Sequence, residues 1–176
     1  MTTKIILAGF GGQGILYASK TIAKLAMHDG KYVSWLPSYG PEMRGGTCNC
    51  GVIVSDEPIG SPIVTTPDIA IVFNIQSMDK FEPTLISGGT LIADSTLIER
   101  KALRDDINAH YIPATGLAAE NKVTANTVML GYVIKKTGLF DYNEFVEQVI
   151  AATPESKPAL REANRLALEI GYNYEG

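Results

Sequence analysis

Four glycines stand among the six residues Gly9-Phe10-Gly11-Gly12-Gln13-Gly14, directly after the apolar run Ile6-Leu7-Ala8. Glycine adopts backbone angles that other residues avoid. A strand turning through such residues into a helix aims backbone N–H groups and the positive helix end at one point, where an anion is favoured. The six residues also satisfy the G-x-G-x-x-G template of dinucleotide sites, which has little specificity by itself. A second stretch, Ser38-Tyr39-Gly40-Pro41-Glu42-Met43-Arg44-Gly45-Gly46, adds a phenol, an acid and a guanidinium to further glycines.

The usual phosphate chemistries each require a residue that is absent. A Walker A loop needs Lys and then Ser or Thr after its last glycine, to reach phosphate and magnesium; Ile15 and Leu16 follow Gly14 instead. An NAD site places an acid about 20 residues beyond the glycines to bind the ribose hydroxyls. Here that position reads Ser34-Trp35-Leu36-Pro37. Arg44 could meet an NADP phosphate, but it lies beyond Pro37 in a loop rather than at a strand tip. Two purely structural readings remain open: glycines that permit a tight turn and close helix packing, and a solvated second loop with a weak Glu42–Arg44 pair.

Other reactive residues are sparse. Cys48 and Cys50, the only cysteines, point to one face of a strand at their i, i+2 spacing and read as small buried side chains, since no third or fourth metal ligand is near in sequence. His28 and His110 carry no metal or triad pattern around them and read as structural. The net charge of −4 and the lack of a basic cluster argue against a nucleic-acid ligand. No apolar run approaches the ~20 residues that span a bilayer, and the start MTTKIILAG has no signal-peptide pattern. These features predict a cytoplasmic protein without membrane contact.

The elements that must position these residues follow from periodicity. Lys4–Ala8 reads as a buried strand, and Ile15, Leu16, Ala18, Ile22, Leu25 and Ala26 then recur at helical spacing until Gly30. Lys31–Leu36, ended by Pro37, and Thr47–Ser55 read as the next strands. Asp68–Asn74 and Gly89–Asp94 have the continuous apolar character of central strands, with Met78–Leu85 between them, and Ala109–Ile112 reads as a further strand. After Pro113 the pattern is helical: Gly116–Asn121, then Thr124–Lys136 stopped by Gly138. Asp141–Ala152 follows, with Asp141 and Glu144 as a capping box and Phe140 and Phe145 as a staple. A terminal helix carries the stripe Leu160, Ala163, Ala167 and Ile170, with Gly171 as its stop.

At 176 residues the chain can bury roughly 70% of its unfolded surface as one domain. Strands alternating with helices, then helices in succession, predict an α/β fold: a single three-layer domain over residues 1–176 with a mostly parallel sheet, a Rossmann-like start and a helical C-terminal part. The two glycine-bearing loops should leave the same carboxyl edge of that sheet, where α/β ligand sites form. The charged fraction of 19%, below the usual ~25%, suits a surface with partners.

Taken together, GFGGQG, YGPEMRGGT followed by CNCGVIVS, IGSPIVTTPDIAIVFN and NKVTANTVMLG resemble the gamma subunit of 2-oxoacid:ferredoxin oxidoreductases. The similarity runs in order from about Lys4 to about Lys136. The C-terminal helices fit the family's size without a distinctive motif.

The resemblance implies an enzyme complex that oxidatively decarboxylates a 2-oxoacid with coenzyme A, giving acyl-CoA, carbon dioxide and reduced ferredoxin. The stand-alone length and the YGPEMRGGTCNC wording look most like the 2-oxoglutarate branch among pyruvate, branched-chain and indolepyruvate relatives. It also implies a chain without a redox cofactor of its own, and inactive alone. Thiamine diphosphate, magnesium and the iron–sulfur clusters fall to partner subunits: thiamine-binding, substrate-binding and ferredoxin-like. Within that resemblance, Gly9, Gly11, Gly12, Gln13 and Gly14 with Tyr39, Glu42, Arg44, Gly45 and Gly46 are the expected binding residues. The backbone of Gly11, Gly12 and Gly14 together with Arg44 would face shared coenzyme A phosphates or a partner's active-site loop. In isolation such a chain is open to pairing with a second copy. The competing expectation is a free-standing Rossmann-like nucleotide-binding protein or dehydrogenase.

Overall fold

The computed structural model describes residues 1–39 and 47–176. Six strands, β1 (Thr2–Phe10), β2 (Tyr32–Tyr39), β3 (Thr47–Ser55), β4 (Ile69–Val72), β5 (Thr90–Asp94) and β6 (Asn108–Ile112), form one sheet in the order β2-β3-β1-β4-β5-β6. The helices are α1 (Ile15–His28), α2 (Ile75–Phe81), α3 (Ala114–Asn121), α4 (Ala125–Thr137), α5 (Tyr142–Ala152) and α6 (Pro158–Asn173). The fold is α/β, as expected.

The sheet is mixed. β1 pairs in parallel with β4, and β4 with β5, while β3 runs antiparallel to both β1 and β2. The mostly parallel expectation therefore holds for the β1, β4 and β5 pairings and fails for β3 and its pairings with β1 and β2. The segment between Tyr39 and Thr47 is too short for the dozen or more residues that a parallel crossover needs, so the chain must return antiparallel. A second difference lies in β2, which continues through Pro37 to Tyr39 instead of stopping before it. β2 is the edge strand, where a residue with no N–H to donate is tolerated.

By their contacts the described residues form two compact units, Met1–Ala93 with Leu97–His110 and Asp94–Thr96 with Tyr111–Gly176. In the first, Ile5, Ile6, Leu7 and Ala8 of β1 are all buried, the pattern of a strand covered on both faces. α1 buries Ile15, Ala18, Ile22, Leu25 and Ala26 and packs on β1, β2 and β3. Farther along, the carboxylate of Glu82 is buried but fully engaged. It accepts from the Leu103 and Arg104 backbone N–H groups at 2.5 and 3.0 Å and from the Arg100 guanidinium at 2.8 Å.

In the second unit the fully buried Asp94 accepts from the Thr96 N–H at 3.0 Å and from the Thr115 N–H and hydroxyl at 3.1 and 2.5 Å, which fixes the start of α3. Asp141 caps α5 through the Asn143 and Glu144 N–H groups, and the Phe140 and Phe145 rings lie 5.9 Å apart, as the staple requires. Gly138 ends α4 in the left-handed conformation. α4 is buried along Asn126–Ile134 and packs against α6.

The crossing of α4 and α6 explains a misread phase. Gly171 is not a helix stop; it lies within α6, where a Cβ would sit 1.9 Å from the Val128 carbonyl oxygen, and a Cβ on Gly131 would sit 2.2 Å from that of Leu168. This close backbone contact rotates α6 so that Asn164, Ala167, Leu168 and Gly171 are buried, while Leu160 is exposed. Asn164 is accommodated because its amide donates to the Thr153 hydroxyl at 3.1 Å. Replacing Gly171 with Ala should therefore lower stability by about 1–3 kcal/mol through overpacking, despite the ~1 kcal/mol that Ala normally gains over Gly in a helix. Denaturant unfolding of the two proteins measures the difference.

Candidate functional site

The carboxyl end of β1 delivers the chain into the glycine loop, and each of its residues has a separate task. Gly9 is needed for close approach: a Cβ there would meet the Gln13 side-chain oxygen at 2.5 Å, Ile15 Cδ1 at 3.0 Å and Phe73 Cβ at 3.1 Å. Gly12 and Gly14 have φ of +95° and +76°, angles that L side chains rarely adopt. Among the described residues a Cβ on Gly12 would meet nothing within 4 Å. Gly14 is the N-cap of α1, which has neither a side-chain cap nor an acid in its first turn. The positive end of a helix that starts without an acid favours an anion.

Gln13 works inside the fold. Its side-chain oxygen accepts from the Phe10 N–H at 2.6 Å, its amide donates to the Phe73 carbonyl at 3.4 Å, and its own N–H bonds to Phe10 O at 3.2 Å. The residue thus ties the end of β1 to the end of β4, and Gly12 beside it is exposed.

The strand register brings the second loop to the same edge. β1 and β2 share a direction, Phe10 lies opposite Thr47, and Tyr39 lies opposite Cys48. The chain therefore leaves β2 and re-enters β3 beside the end of β1, where the sequence expects both loops. Gly40, Glu42, Arg44, Gly45, Gly46 and the Tyr39 side chain lie outside the described residues.

One residue of this edge escaped the sequence reading. Asn74 follows β4, two residues past the Ala8–Val72 pair, and is 4% exposed. Its side-chain oxygen accepts from the Ser77 N–H at 2.8 Å and caps α2, while its buried amide nitrogen has no hydrogen-bond partner among the described residues. The Asn-x-x-Ser spacing at a strand end was the available signal.

The arrangement disfavours a standard dinucleotide crevice. In that fold the strand after the first helix lies directly beside the first strand, and its tip carries the ribose-binding acid. Here β3 separates β2 from β1 and runs the other way. The cysteines are equally unpromising as reactive groups: Cys48 and Cys50 are buried on β3, and burial pushes both thiols above their ordinary pKa. Among the described residues no group of three or more His, Cys, Asp or Glu is placed to hold a metal ion, and no helix is long and apolar enough to cross a membrane.

Comparison with known proteins gives the same picture from another direction. Residues 4–174 match the family described as pyruvate ferredoxin/flavodoxin oxidoreductase. The chain is 37% identical over 97% of its length to the ketoisovalerate oxidoreductase subunit VorA of Methanothermobacter marburgensis, but covers only 36% of that longer protein. It is 34% identical to the 2-oxoglutarate synthase subunit KorC of Methanocaldococcus jannaschii, with 98% of this chain and 93% of the relative aligned. Among solved structures, the gamma subunit of a keto/oxoacid ferredoxin oxidoreductase from Geobacter sulfurreducens superposes with a TM-score of 0.82 at 30% identity, covering 98% of this chain and 95% of that one.

Two measurements check the local reading. Gly9→Ala should lose more stability than Gly12→Ala in thermal melts, since the first clashes with packed atoms while the second bears only the ~1–2 kcal/mol of an unfavourable φ. At pH 7 the native protein should show almost no reaction of its two thiols with a thiol reagent. Unfolding should release both, because the raised pKa values keep them protonated and burial keeps them covered.

Proposed function

The chain belongs to the pyruvate ferredoxin/flavodoxin oxidoreductase family, and from that premise we propose that it is the gamma-type component of a 2-oxoacid:ferredoxin oxidoreductase. The reaction is oxidative decarboxylation: the bond between the carboxylate and the oxo carbon breaks, carbon dioxide leaves, the acyl carbon joins the thiol of coenzyme A, and the electrons pass to ferredoxin. The observation that carries this reading is the family match over residues 4–174, together with near full-length alignment to a KorC subunit. Since one match spans both compact units, residues 1–176 are read as one gamma-type domain.

The substrate we assign is 2-oxoglutarate, on the near full-length alignment to KorC and the agreement in stand-alone length. Ketoisovalerate is the nearest competitor, because the VorA identity is slightly higher, although the chain spans only about a third of that relative. Thiamine diphosphate, magnesium and iron–sulfur clusters are assigned to partner subunits. This chain's donor set does not fit a cluster: it has two cysteines where four thiolates are needed, and both are buried and held protonated. Within the complex, this chain offers coenzyme A the backbone of Gly11, Gly12 and Gly14 at the start of α1, with Arg44 supplied by the segment that joins β2 to β3. The glycine φ values and the space at Gly12 among the described residues support that use.

Purification through a tag on this chain should recover brown, cluster-bearing subunits at fixed stoichiometry, with kcat/KM highest for 2-oxoglutarate. A colourless homo-oligomer that binds a nicotinamide cofactor would overturn the reading. In the intact complex, Arg44→Ala and Gly12→Val should each raise the apparent KM for coenzyme A about tenfold or more, on the scale of one charge-assisted hydrogen bond. Unchanged values would remove the glycine loop and Arg44 from coenzyme A binding.

A further inference from the structure

The outward face of α1 is unusual in composition. Its buried side is apolar, but Tyr17, Lys20, Lys24 and Met27 lie along the opposite side at helical spacing, and the helix contains no acid. Tyr17 and Met27 are 45% and 64% exposed. Among the described residues neither Lys20 nor Lys24 has a carboxylate partner. The face continues onto β2, where Trp35 is 37% exposed, donates its ring N–H to Ser19 at 2.9 Å and lies beneath the Lys20 ammonium at 5.9 Å. β2 is also an edge strand, with Tyr32 and Leu36 exposed.

An aromatic and methionine surface carrying two lysines with no carboxylate partner among the described residues, beside an open strand edge, has the composition of an interface rather than a solvated helix face. The charge decides the occupant. A second copy packed face to face, with its two-fold axis through this surface, would bring the lysines of both copies together, whereas an acidic surface would pair them. In the VorA relative the matched region is about a third of a longer polypeptide, so this domain is there joined to further protein of the same enzyme.

We propose that the outer face of α1 with the β2 edge, centred on Tyr17, Met27 and Trp35 and flanked by Lys20 and Lys24, docks an acidic, apolar-centred surface of another subunit of the oxidoreductase. The proposal rests on the gamma-subunit reading and adds to it the surface and the chemistry of the partner. The face is separate in role from the glycine loop, because the anion site uses backbone N–H groups at the start of α1 whereas the docking face uses side chains on its outer side.

The test uses the complex purified through a tag on this chain, beside the isolated chain. Acylation of Lys20 and Lys24 and oxidation of Met27 should fall at least about fivefold in the complex, and the double substitution Lys20→Glu/Lys24→Glu should weaken assembly about tenfold or more without changing the melting temperature of the isolated chain. Equal reactivity in the two samples, or assembly indifferent to the charge reversal, overturns the proposal while an active complex leaves the gamma-subunit reading standing. Recovery of this chain alone, with the same residues protected by self-association, overturns both.

Discussion

The reversal of β3 between β1 and β2 is the constraint from which the other features follow. Nine paired positions on one side and eight on the other lock it in place. Because β3 returns along the sheet, the chain leaves β2 and re-enters β3 at the edge where β1 ends. The reversal also moves β2 outward, so that it becomes the edge strand on which Trp35 and Leu36 are exposed. It removes as well the parallel neighbour that a standard dinucleotide fold relies on.

Where the hydrophobic pattern had one interpretation, it located the element closely. β3 has the predicted bounds, Thr47–Ser55, and the start of α1 follows the last loop glycine as the spacing implies. Capping chemistry was equally readable, because Asp141 and the Phe140–Phe145 pair act locally. Errors arose where distant contacts decided the outcome. Pro37 looked like a strand end because its edge position depends on the order of strands, and the phase of α6 was misread because the contact of Gly171 with α4 outweighs the burial of Leu160.

The site shows the same division. Glycine spacing revealed a turn with backbone amides at a helix start, since φ preferences are written in residue type. The inward role of Gln13 depends on Phe73, sixty residues away, and could not be read from the loop itself. Asn74 was overlooked for a related reason: its cap is local, but its position beside the glycine loop exists only once β4 has aligned with β1. Family resemblance supplied what local chemistry left open, namely that glycines without a Walker lysine or a ribose-binding acid occur in the pyruvate ferredoxin/flavodoxin oxidoreductase family.

The strand order has a further consequence, in the time domain. β1 is the first strand of the chain, yet its two neighbours are β3 and β4, and the second of these is complete only when Val72 has been made. Until then Ile5, Ile6, Leu7 and Ala8 form an apolar segment with one or both edges open. Such long-range pairing slows folding and leaves the segment exposed to association with other chains during synthesis. The centre of the sheet is thus made first and sealed late, and the pace at which β3 and β4 arrive sets how long that vulnerable interval lasts.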